Sequence, residues 1–557
     1  MVDIQEFEKF LNTMSCISRV TIVDSRDSSQ CITIEIKLSE LNDPLTFNVN
    51  FDPWYPVKVY GEESIHFYNI SLIEYPHIMA GGQLCIHTIS TPDWKKKLQS
   101  DIEQLCLWIR KYYIEKNTDK HYEHLVVNES LVDDQYFSFN YAQTDSSFLK
   151  GEFGLVNYKC LGDGLKYGKT IKNFIVVSYH NVVNSTIHKS PFSRFYNFDS
   201  GCTSAPYIVT DRIPGIYGKF LFENYLDFEP LISQSQMKFV WDYVQQARRI
   251  KTTNHLFPLF IGYHIPNGEI AWNVAMIDIN AVPTKGIPEY INGRKTGTWI
   301  SKFIDQQIKW VLTNDISPKH FFGRGCFPVS VTEKRILIMG IGAVGSMVAH
   351  TLVRGGCRNI SLYDFDIKQP GNVCRSEYDF FCPTSEKMND LSKKLHSISP
   401  YVNVDINNIR FDEYVKMASH PDTKEKESVF TKLSENYDII IDCTTDDDVM
   451  YALEQLNLPI DVVNISISNH ADKLVCAFSP SIYGFVRRAY ENLIKNDHHD
   501  IFYPTGCWNP TFKATYNDIA SKLQYALKRI ISMLSGSEIK QNFIISEDTN
   551  GMHFQPW

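Results

Sequence analysis

Two cysteines in predicted loops have the side chain that best suits acyl transfer. Cys85 lies in the segment GGQLCIHT and Cys507 lies in PTGCWNPTF, and both segments are typical of loops. Because a thiolate is accessible near neutral pH and a thioester remains reactive, cysteine suits acyl transfer better than serine. The alternative is that Cys507 is a small buried apolar residue, as most cysteines are. Cys476, in the strand-like KLVCAF, is better explained as core.

A glycine-rich turn is the second chemical feature. Gly340, Gly342 and Gly345 form G-x-G-x-x-G between a predicted strand and a predicted helix. Glycine permits the tight turn and lets backbone N–H groups approach phosphates at the helix N-terminus. Asp364 ends the next predicted strand, where it can accept hydrogen bonds from ribose hydroxyls. This pattern alone fits NAD enzymes as well as ATP enzymes, and a turn without a ligand is a third alternative.

Polar residues beyond the turn favour ATP. Four of them follow in chain order: Asn372, Arg375, Lys387 and Asp446. Adenylation needs cations around the phosphates and a carboxylate for Mg²⁺, whereas hydride transfer does not. The sequence therefore predicts ATP and Mg²⁺ as cofactors, with Asp446 as the metal ligand. The alternative is that Arg375 and Lys387 are solvated surface charges.

The elements that must position these residues predict an α/β multidomain chain. Residues 1–120 alternate as helix, strand meander, cysteine-bearing loop and a helix near 100–116, which predicts a small α+β domain. Residues 121–325 are predicted to form a connecting α/β domain with a helix at 234–250. From residue 326 to 557, strands and helices alternate, which predicts a doubly wound Rossmann-like parallel sheet and a final helix at 521–534.

Composition and charge exclude several classes of protein. The net charge of −9 argues against nucleic-acid binding as the main activity, because phosphate contacts need clustered Lys and Arg. The N-terminus has no secretory signal pattern, and no stretch approaches the ~20 apolar residues that cross a bilayer. None of the 13 cysteines forms a C-x-x-C pair, which excludes zinc knuckles and dithiol redox motifs. We expect a cytoplasmic protein that binds neither nucleic acid nor membrane.

The ordered motifs MGIGAVGS, YDFDxxxxxNVCRS and IDCTTD resemble the adenylation domain of ubiquitin-activating enzymes. Bacterial relatives of these enzymes act in thiamine and molybdopterin synthesis, and the resemblance covers roughly residues 334–535. It implies that Asp364 binds ribose, that Asn372, Arg375 and Lys387 bind phosphates, and that Asp446 holds Mg²⁺. It also implies that Cys507, a loop cysteine beyond Asp446, takes the acyl group from AMP.

Two departures from the family pattern bear on this assignment. The loop before Lys387 is about one residue shorter than usual, so Lys393 and Lys394 are alternatives to Lys387. The paired C-x-x-C zinc site of many bacterial relatives is absent.

A second resemblance covers about residues 1–120. The order FDPWYP, YPH, GGQLCIHT and Trp94 before a long helix resembles a ubiquitin-conjugating enzyme, which implies that Cys85 bears a thioester. Tyr75-Pro76-His77 stands where that family has His-Pro-Asn, whose asparagine stabilises an oxyanion. His77 and His87 are the candidates to donate that hydrogen bond, and the alternative for His77 is a packing role.

The fusion of these two modules resembles the ligase of CBASS antiphage systems. That resemblance implies adenylation of a protein C-terminus, capture on Cys507, transfer to Cys85 and an isopeptide bond to a target lysine. It also implies a cGAS-like nucleotidyltransferase as the activated protein and a homodimer through the adenylation domain. Arg324 is the candidate for an arginine lent across that interface.

Three alternatives remain at this point. The activated protein can instead be a bacterial ubiquitin-like or sulfur-carrier protein ending in Gly-Gly. An oxidoreductase would bind NAD without ATP-dependent pyrophosphate exchange. A non-catalytic scaffold would tolerate Cys85→Ala and Cys507→Ala.

Overall fold

The computed structural model describes fifteen segments and divides the chain into two compact units. The described residues are 4–23, 30–58, 61–79, 81–117, 130–197, 200–211, 231–249, 255–265, 268–278, 287–298, 307–406, 411–419, 423–495, 497–504 and 510–557. The N-terminal unit comprises residues 1–190 and 201–315, and the C-terminal unit comprises residues 191–200 and 316–557. The predicted boundary at 120–121 lies outside the described residues, so the three-domain division stays a prediction.

The first part of the N-terminal unit is a four-stranded antiparallel meander with helices. Its elements are α1 (Ile4–Leu11), β1 (Ile17–Val23), β2 (Gln30–Ile36), β3 (Leu45–Phe51), β4 (Ile65–Tyr68) and α2 (Trp94–Trp108), which continues as a π-helical segment, Ile109–Ile114. Alternation in β2 buries Ile32, Ile34 and Ile36 against apolar residues of both helices. α2 begins earlier than predicted because the Asp93 carboxylate accepts hydrogen bonds from two backbone N–H groups of its first turn.

The second part of the N-terminal unit is dominated by strands. Its elements are β5 (Tyr136–Tyr141), β6 (Phe153–Lys166), β7 (Lys169–His180), β8 (Thr186–Lys189), β9 (Thr203–Val209), α3 (Gln234–Arg249), β10 (Leu256–His264), β11 (Ile270–Asp278), β12 (Ile287–Ile291), β13 (Arg294–Thr298) and β14 (Lys309–Asp315). The sheet order is β5-β14-β11-β10-β9-β6-β7-β8, and an additional β5–β7 pairing closes seven strands into a ring. Aromatic side chains, among them Phe139, Tyr207 and Trp272, form one core of this region. The sequence predicted strands and the helix α3 here, but not the closure.

The C-terminal unit contains the remaining elements. They are α4 (Pro318–Phe321), α5 (Val329–Thr332), β15 (Arg335–Met339), α6 (Ala343–Arg354), β16 (Asn359–Tyr363), β17 (Ile367–Lys368), α7 (Pro370–Val373), β18 (Ser385–Glu386), α8 (Lys387–Ile398), β19 (Asn403–Ile406), α9 (Phe411–Ser419), α10 (Thr423–Asn436), β20 (Ile439–Asp442), α11 (Asp447–Leu456), β21 (Asp461–Ile467), β22 (Lys473–Phe478), α12 (Tyr483–Asn492), α13 (Tyr516–Leu534), β23 (Phe543–Asp548) and β24 (Gly551–Pro556).

The predicted doubly wound sheet of this unit is confirmed. The sheet order is β19-β16-β15-β20-β21-β22-β23-β24, with the first five strands parallel and the last three antiparallel. Alternate residues of β15 enter two separate cores, with Ile336 and Ile338 on one face and Leu337 and Met339 on the other. Helices α6, α8 and α13 contribute to the first core, and α9 to α12 contribute to the second. The strand order reverses between β15 and β20, where α/β sheets bind ligands.

The last long helix is longer than predicted. α13 starts at Tyr516 because Thr515 and Asp518 form a reciprocal capping box.

None of the helices in the described segments is long and apolar enough to span a bilayer.

Candidate functional site

Two of the three glycines in the turn are required by the backbone itself. Gly340 has a φ of +72°, and a Cβ there would lie 2.7 Å from the Thr444 backbone. A Cβ at Gly345 would lie 2.0 Å from the carbonyl oxygen of Gly340. A Cβ at Gly342 would meet no atom within 4 Å. Gly340 and Gly345 therefore shape the turn, while Gly342, the N-cap of α6, leaves open space beside the helix N-terminus.

Asp364 lies directly against this turn. It follows β16, and its Oδ2 accepts a hydrogen bond of 2.9 Å from the backbone N–H of Ile341. Its Oδ1 accepts a second one, of 2.8 Å, from the N–H of Asp366. The turn after β15, Asp364 after β16 and Thr444 after β20 thus share the carboxyl edge of the parallel sheet.

Lys387 is the lysine that the structure brings to Asp364. Its Nζ lies 3.7 Å from Asp364 Oδ2 and 2.9 Å from Asp366 Oδ2. Burial raises the pKa of Asp364 despite the opposing charge of Lys387. Lys394 instead lies 3.4 Å from Asp379, and Lys393 is exposed, so the shorter loop does not displace Lys387.

Asn372 and Arg375 are both engaged by protein groups. Asn372 Oδ1 accepts a 2.8 Å hydrogen bond from the Gln369 N–H in the capping box of α7. The Arg375 guanidinium donates to the Phe512 carbonyl at 2.7 Å and to Thr511 Oγ1 at 2.9 Å. Its burial lowers the pKa of Arg375. The predicted roles of both side chains on the phosphates stay predictions.

Cys507 belongs to the stretch 505–509, which lies outside the described residues. The segments that flank it are described. The backbones of Phe502 and Thr511 pair through two hydrogen bonds of 2.9 Å. Arg375, which is predicted to bind phosphate, thus contacts the described segment that follows Cys507 in the chain.

Asp446 fits the predicted metal role as a single carboxylate. It is exposed, and one oxygen caps α11 by accepting hydrogen bonds from the N–H groups of Asp448 and Val449. Among the described residues no group of three or more His, Cys, Asp or Glu side chains can hold a metal ion. Mg²⁺ in nucleotide sites is usually held by one or two carboxylates together with the substrate phosphates. The neighbouring Asp442 is buried and bound to Asn464 and Thr444, whereas Asp446 is exposed, as are Asp447 and Asp448.

Cys85 is exposed on the loop that precedes α2. Its Sγ lies 3.4 Å from Nε2 of His87. Its backbone N–H donates to the carbonyl oxygen of His77 at 2.8 Å, and His77 adopts a φ of +61°. The His77 ring packs against Tyr112 at 4.9 Å. The structure therefore places the imidazole of His87 beside the thiol and uses the backbone of His77 to shape the loop.

A buried charged cluster beneath this loop was missed in the sequence. Lys97, Asp101 and Glu63 are each at most 5% exposed, and Lys97 Nζ lies 2.8 Å from Glu63 and 2.5 Å from Asp101. The signal was present in α2, because Lys97 and Asp101 are an i,i+4 pair flanking the buried Leu98. Charged residues on an apolar helix stripe indicate a buried ion pair.

A cleft of about 670 Å³ lies elsewhere in the C-terminal unit. Its lining includes His350, Glu377 and Tyr516 and none of the predicted nucleotide residues. His350 Nδ1 lies 3.0 Å from Glu377, and this contact together with the Tyr516 hydroxyl holds the pKa of Glu377 at about 2, although burial opposes the shift. The other ring nitrogen of His350, Nε2, is buried and has no hydrogen-bond partner among the described residues.

Comparison with known proteins identifies the region around the glycine turn. Residues 329–457 match the ThiF family. The ATP-dependent ubiquitin transferase-like protein Cap2 of Enterobacter hormaechei is 28% identical over 223 residues, 38% of this chain and 35% of that protein. Protein y4oA of Sinorhizobium fredii is 23% identical over 37% of each chain. The chain thus spans little more than a third of the length of these relatives.

Solved structures of E. coli MccB are more distant. MccB with ATP has 14% sequence identity and a TM-score of 0.28, over 41% of this chain and 64% of that one. The resemblance of the C-terminal motifs to ThiF-type adenylation domains is confirmed by the family match and by the Cap2 relative. Residues 329–457 therefore match the ThiF family, and over 223 residues the chain resembles an ATP-dependent ubiquitin transferase-like protein.

Proposed function

We propose that the chain is an ATP-dependent protein ligase that adenylates a protein C-terminus and passes it through two cysteine thioesters to a lysine. The observation that carries this proposal is the ThiF-family edge of the sheet, where the glycine turn, Asp364 and Lys387 lie together. The same chain presents an exposed Cys85 beside a histidine in its N-terminal unit.

Adenylation uses the carboxyl edge of the parallel sheet. The backbone N–H groups at the start of α6 bind phosphate, and Asp364 accepts from the ribose hydroxyls. Lys387, Arg375 and Asn372 offset the phosphate charge. A carboxylate oxygen of the substrate protein bonds to the α-phosphorus, and pyrophosphate leaves. Asp446 would hold Mg²⁺, which supplies further charge neutralisation.

The acyl group then moves between thiols. The Cys507 sulfur attacks the acyl adenylate, the new C–S bond replaces the C–O bond, and AMP leaves. Cys85 attacks that thioester and releases the Cys507 thiol. The attachment of Arg375 to Thr511 and Phe512 supports coupling between the phosphate site and the Cys507 loop.

Conjugation is assigned to the first part of the N-terminal unit. A helix, a four-stranded meander and an exposed loop cysteine before a second helix support its likeness to a ubiquitin-conjugating domain. A lysine amine attacks the Cys85 thioester, an amide bond forms and Cys85 leaves. Carrying both cysteines on one chain raises their effective concentration for each other.

The activated protein in this proposal is a cGAS-like nucleotidyltransferase of a CBASS system, and the ligase acts as a homodimer with Arg324 at the interface. Exposed apolar side chains near the nucleotide residues support a protein partner on this surface. Phe365, Ile367 and Phe381 are 78%, 57% and 97% exposed, and such patches mark interaction sites. Arg324 is also exposed.

The test is a non-reducing gel after incubation with ATP, Mg²⁺ and a cGAS-like nucleotidyltransferase. Wild type should form a thiol-sensitive adduct that Cys507→Ala abolishes, and in Cys85→Ala the adduct should stall on Cys507. Asp446→Asn should also abolish ATP–pyrophosphate exchange. Exchange without an adduct would keep the adenylation step and overturn this substrate in favour of a ubiquitin-like or sulfur-carrier protein. No exchange in wild type would overturn the function itself.

A further inference from the structure

The imidazole of His87 lies between the candidate nucleophile and a buried carboxylate. Its Nε2 is 3.4 Å from Cys85 Sγ, and its Nδ1 is 3.7 Å from Glu63 Oε1. A nucleophile, a histidine and a carboxylate in this order form the arrangement that activates thiols and hydroxyls in nucleophilic catalysis.

The residue that follows His87 is fixed from three directions. The Thr88 N–H donates to Glu63 at 3.1 Å, and its carbonyl oxygen accepts from Lys58 Nζ at 3.1 Å. Its hydroxyl donates to Asp101 and accepts from Lys97. Because Thr88 is held in this way, the backbone of the preceding residue, His87, is also constrained. The side chain of His87 is 68% exposed.

The cluster behind His87 is balanced in charge. Lys58 and Lys97 face Glu63 and Asp101, and the Tyr55 hydroxyl donates to Asp101 at 2.9 Å. Burial alone would raise the pKa of Glu63, but hydrogen bonds from Lys58 and Lys97 hold that pKa below its ordinary value. Glu63 is therefore ionised at neutral pH.

An ionised carboxylate near Nδ1 selects one tautomer of the ring. It favours a proton on Nδ1, which leaves Nε2 with the lone pair that faces the Cys85 sulfur. The groups that face His87 are then the Cys85 thiol on one side and Glu63 with its partner Lys58 on the other.

We propose that His87 is the proton-transfer residue of Cys85 and that Glu63 positions it, an inference that rests on the proposed conjugation function. When Cys85 attacks the incoming thioester, its thiol proton moves to His87 Nε2, and the displaced thiolate regains a proton. When a lysine amine attacks the Cys85 thioester, a C–N bond forms and the C–S bond breaks. The amine proton passes to His87 and then to the departing Cys85 sulfur.

The first experiment uses the full chain without ATP or any acyl donor. The rate of Cys85 alkylation by iodoacetamide is followed by peptide mass spectrometry between pH 5.5 and 9.5 in wild type, His87→Ala and Glu63→Gln. We expect His87→Ala to slow the reaction at neutral pH about threefold or more and to move its pH profile towards higher pH. Glu63→Gln should give a smaller shift in the same direction.

His255→Ala is the matched control, because His255 is a half-exposed histidine 2.7 Å from Asp133 in another part of the unit. It should leave the profile unchanged. Coincident profiles for wild type and His87→Ala would overturn the proposal, and so would an equal shift in His255→Ala. Since alkylation needs no ligase activity, this result is independent of the failure or success of the gel assay.

The second experiment measures loss of the Cys85 adduct in single turnover on addition of free lysine. His87→Ala should form the adduct more slowly than wild type, with unchanged ATP–pyrophosphate exchange, and should lose it on the order of 100-fold more slowly. An unchanged discharge rate would overturn the role in amine attack. Absence of the adduct in wild type would count against the proposed function alone.

Discussion

The two regions that carry the candidate chemistry each contain a buried carboxylate beside a lysine, but they hold it in opposite ways. Glu63 receives hydrogen bonds from Lys58, Lys97 and a backbone N–H, and its pKa is lowered even though burial opposes this. Asp364 has Lys387 only at 3.7 Å, and its pKa is raised by burial. A carboxylate that lies beside a glycine turn and has no close cation can accept ligand hydroxyls, whereas one that is paired with two lysines serves as scaffold.

Each of the two regions also contains a pair of glycines whose surroundings differ. In each pair, one glycine is required by close backbone contact and the other faces open space. The required ones are Gly345 and Gly82, and the unconstrained ones are Gly342 and Gly81. Paired substitutions can therefore separate what the fold needs from what a ligand or the reaction needs.

The largest effect is expected for Gly345→Ala. The added Cβ would lie 2.0 Å from the Gly340 carbonyl oxygen, so the backbone must move. We expect a loss of about 5 kcal/mol or more in the free energy of unfolding, measured by thermal and urea unfolding. Gly342→Ala should leave stability nearly unchanged but weaken ATP binding in calorimetry. Equal destabilisation by both substitutions would show that Gly342 also serves the fold.

The second largest loss of stability is expected when a cation is removed from the buried charged cluster beneath the Cys85 loop. Lys97→Met leaves two carboxylates buried without their shared partner, which should cost about 3–5 kcal/mol. Its neighbour Lys96 is 75% exposed and pairs with Asp93 at 3.8 Å. Lys96→Met should therefore change the melting temperature very little. If Lys97→Met is as stable as Lys96→Met, the cluster is not the scaffold of the Cys85 loop.

An intermediate effect is expected at the Cys85 loop. Gly82 has a φ of +82°, and a Cβ there would lie 2.8 Å from the Ile70 backbone. Gly82→Ala should cost about 2–3 kcal/mol, from the left-handed conformation and the contact together. It should also alter the alkylation rate of Cys85. Gly81→Ala, whose Cβ meets nothing within 4 Å, should affect neither measurement.

The smallest effect is a pH dependence of opposite sign at the two carboxylates. Because the pKa of Glu63 is lowered, its contribution to stability is present above about pH 4.3, the ordinary value, and is lost as pH falls further. Because the pKa of Asp364 is raised, its contribution is present below about pH 3.9 and is lost as pH rises through its folded pKa.

Melting temperatures between about pH 3.5 and 6 can resolve this difference, which should amount to a few degrees. Glu63→Gln should remove the acid-side loss, and Asp364→Asn should remove the loss on rising pH. Identical pH slopes in the two variants would contradict the contrast between the carboxylates.

Much of the C-terminal unit was predictable because its elements follow local rules. The apolar run of β15, the glycine turn and the helix after it have unambiguous sequence signals, and the structure places them as predicted. The closed strand ring of the middle region was not predictable, since the β5–β7 pairing joins strands whose partners no local pattern specifies. The earlier start of α2 depended on capping by Asp93, a signal the sequence contained.

The sequence by itself determined the chemical inventory of this protein: a glycine turn before a helix, a carboxylate after the next strand, and cysteines in loops. The tertiary structure decided which groups meet. It brought Lys387 to Asp364, attached Arg375 to Thr511 and set His87 between Cys85 and Glu63. Local periodicity and turn chemistry act over a few residues and are visible in the chain. Contacts between residues far apart depend on sheet order and buried charge pairing, which only the folded chain fixes.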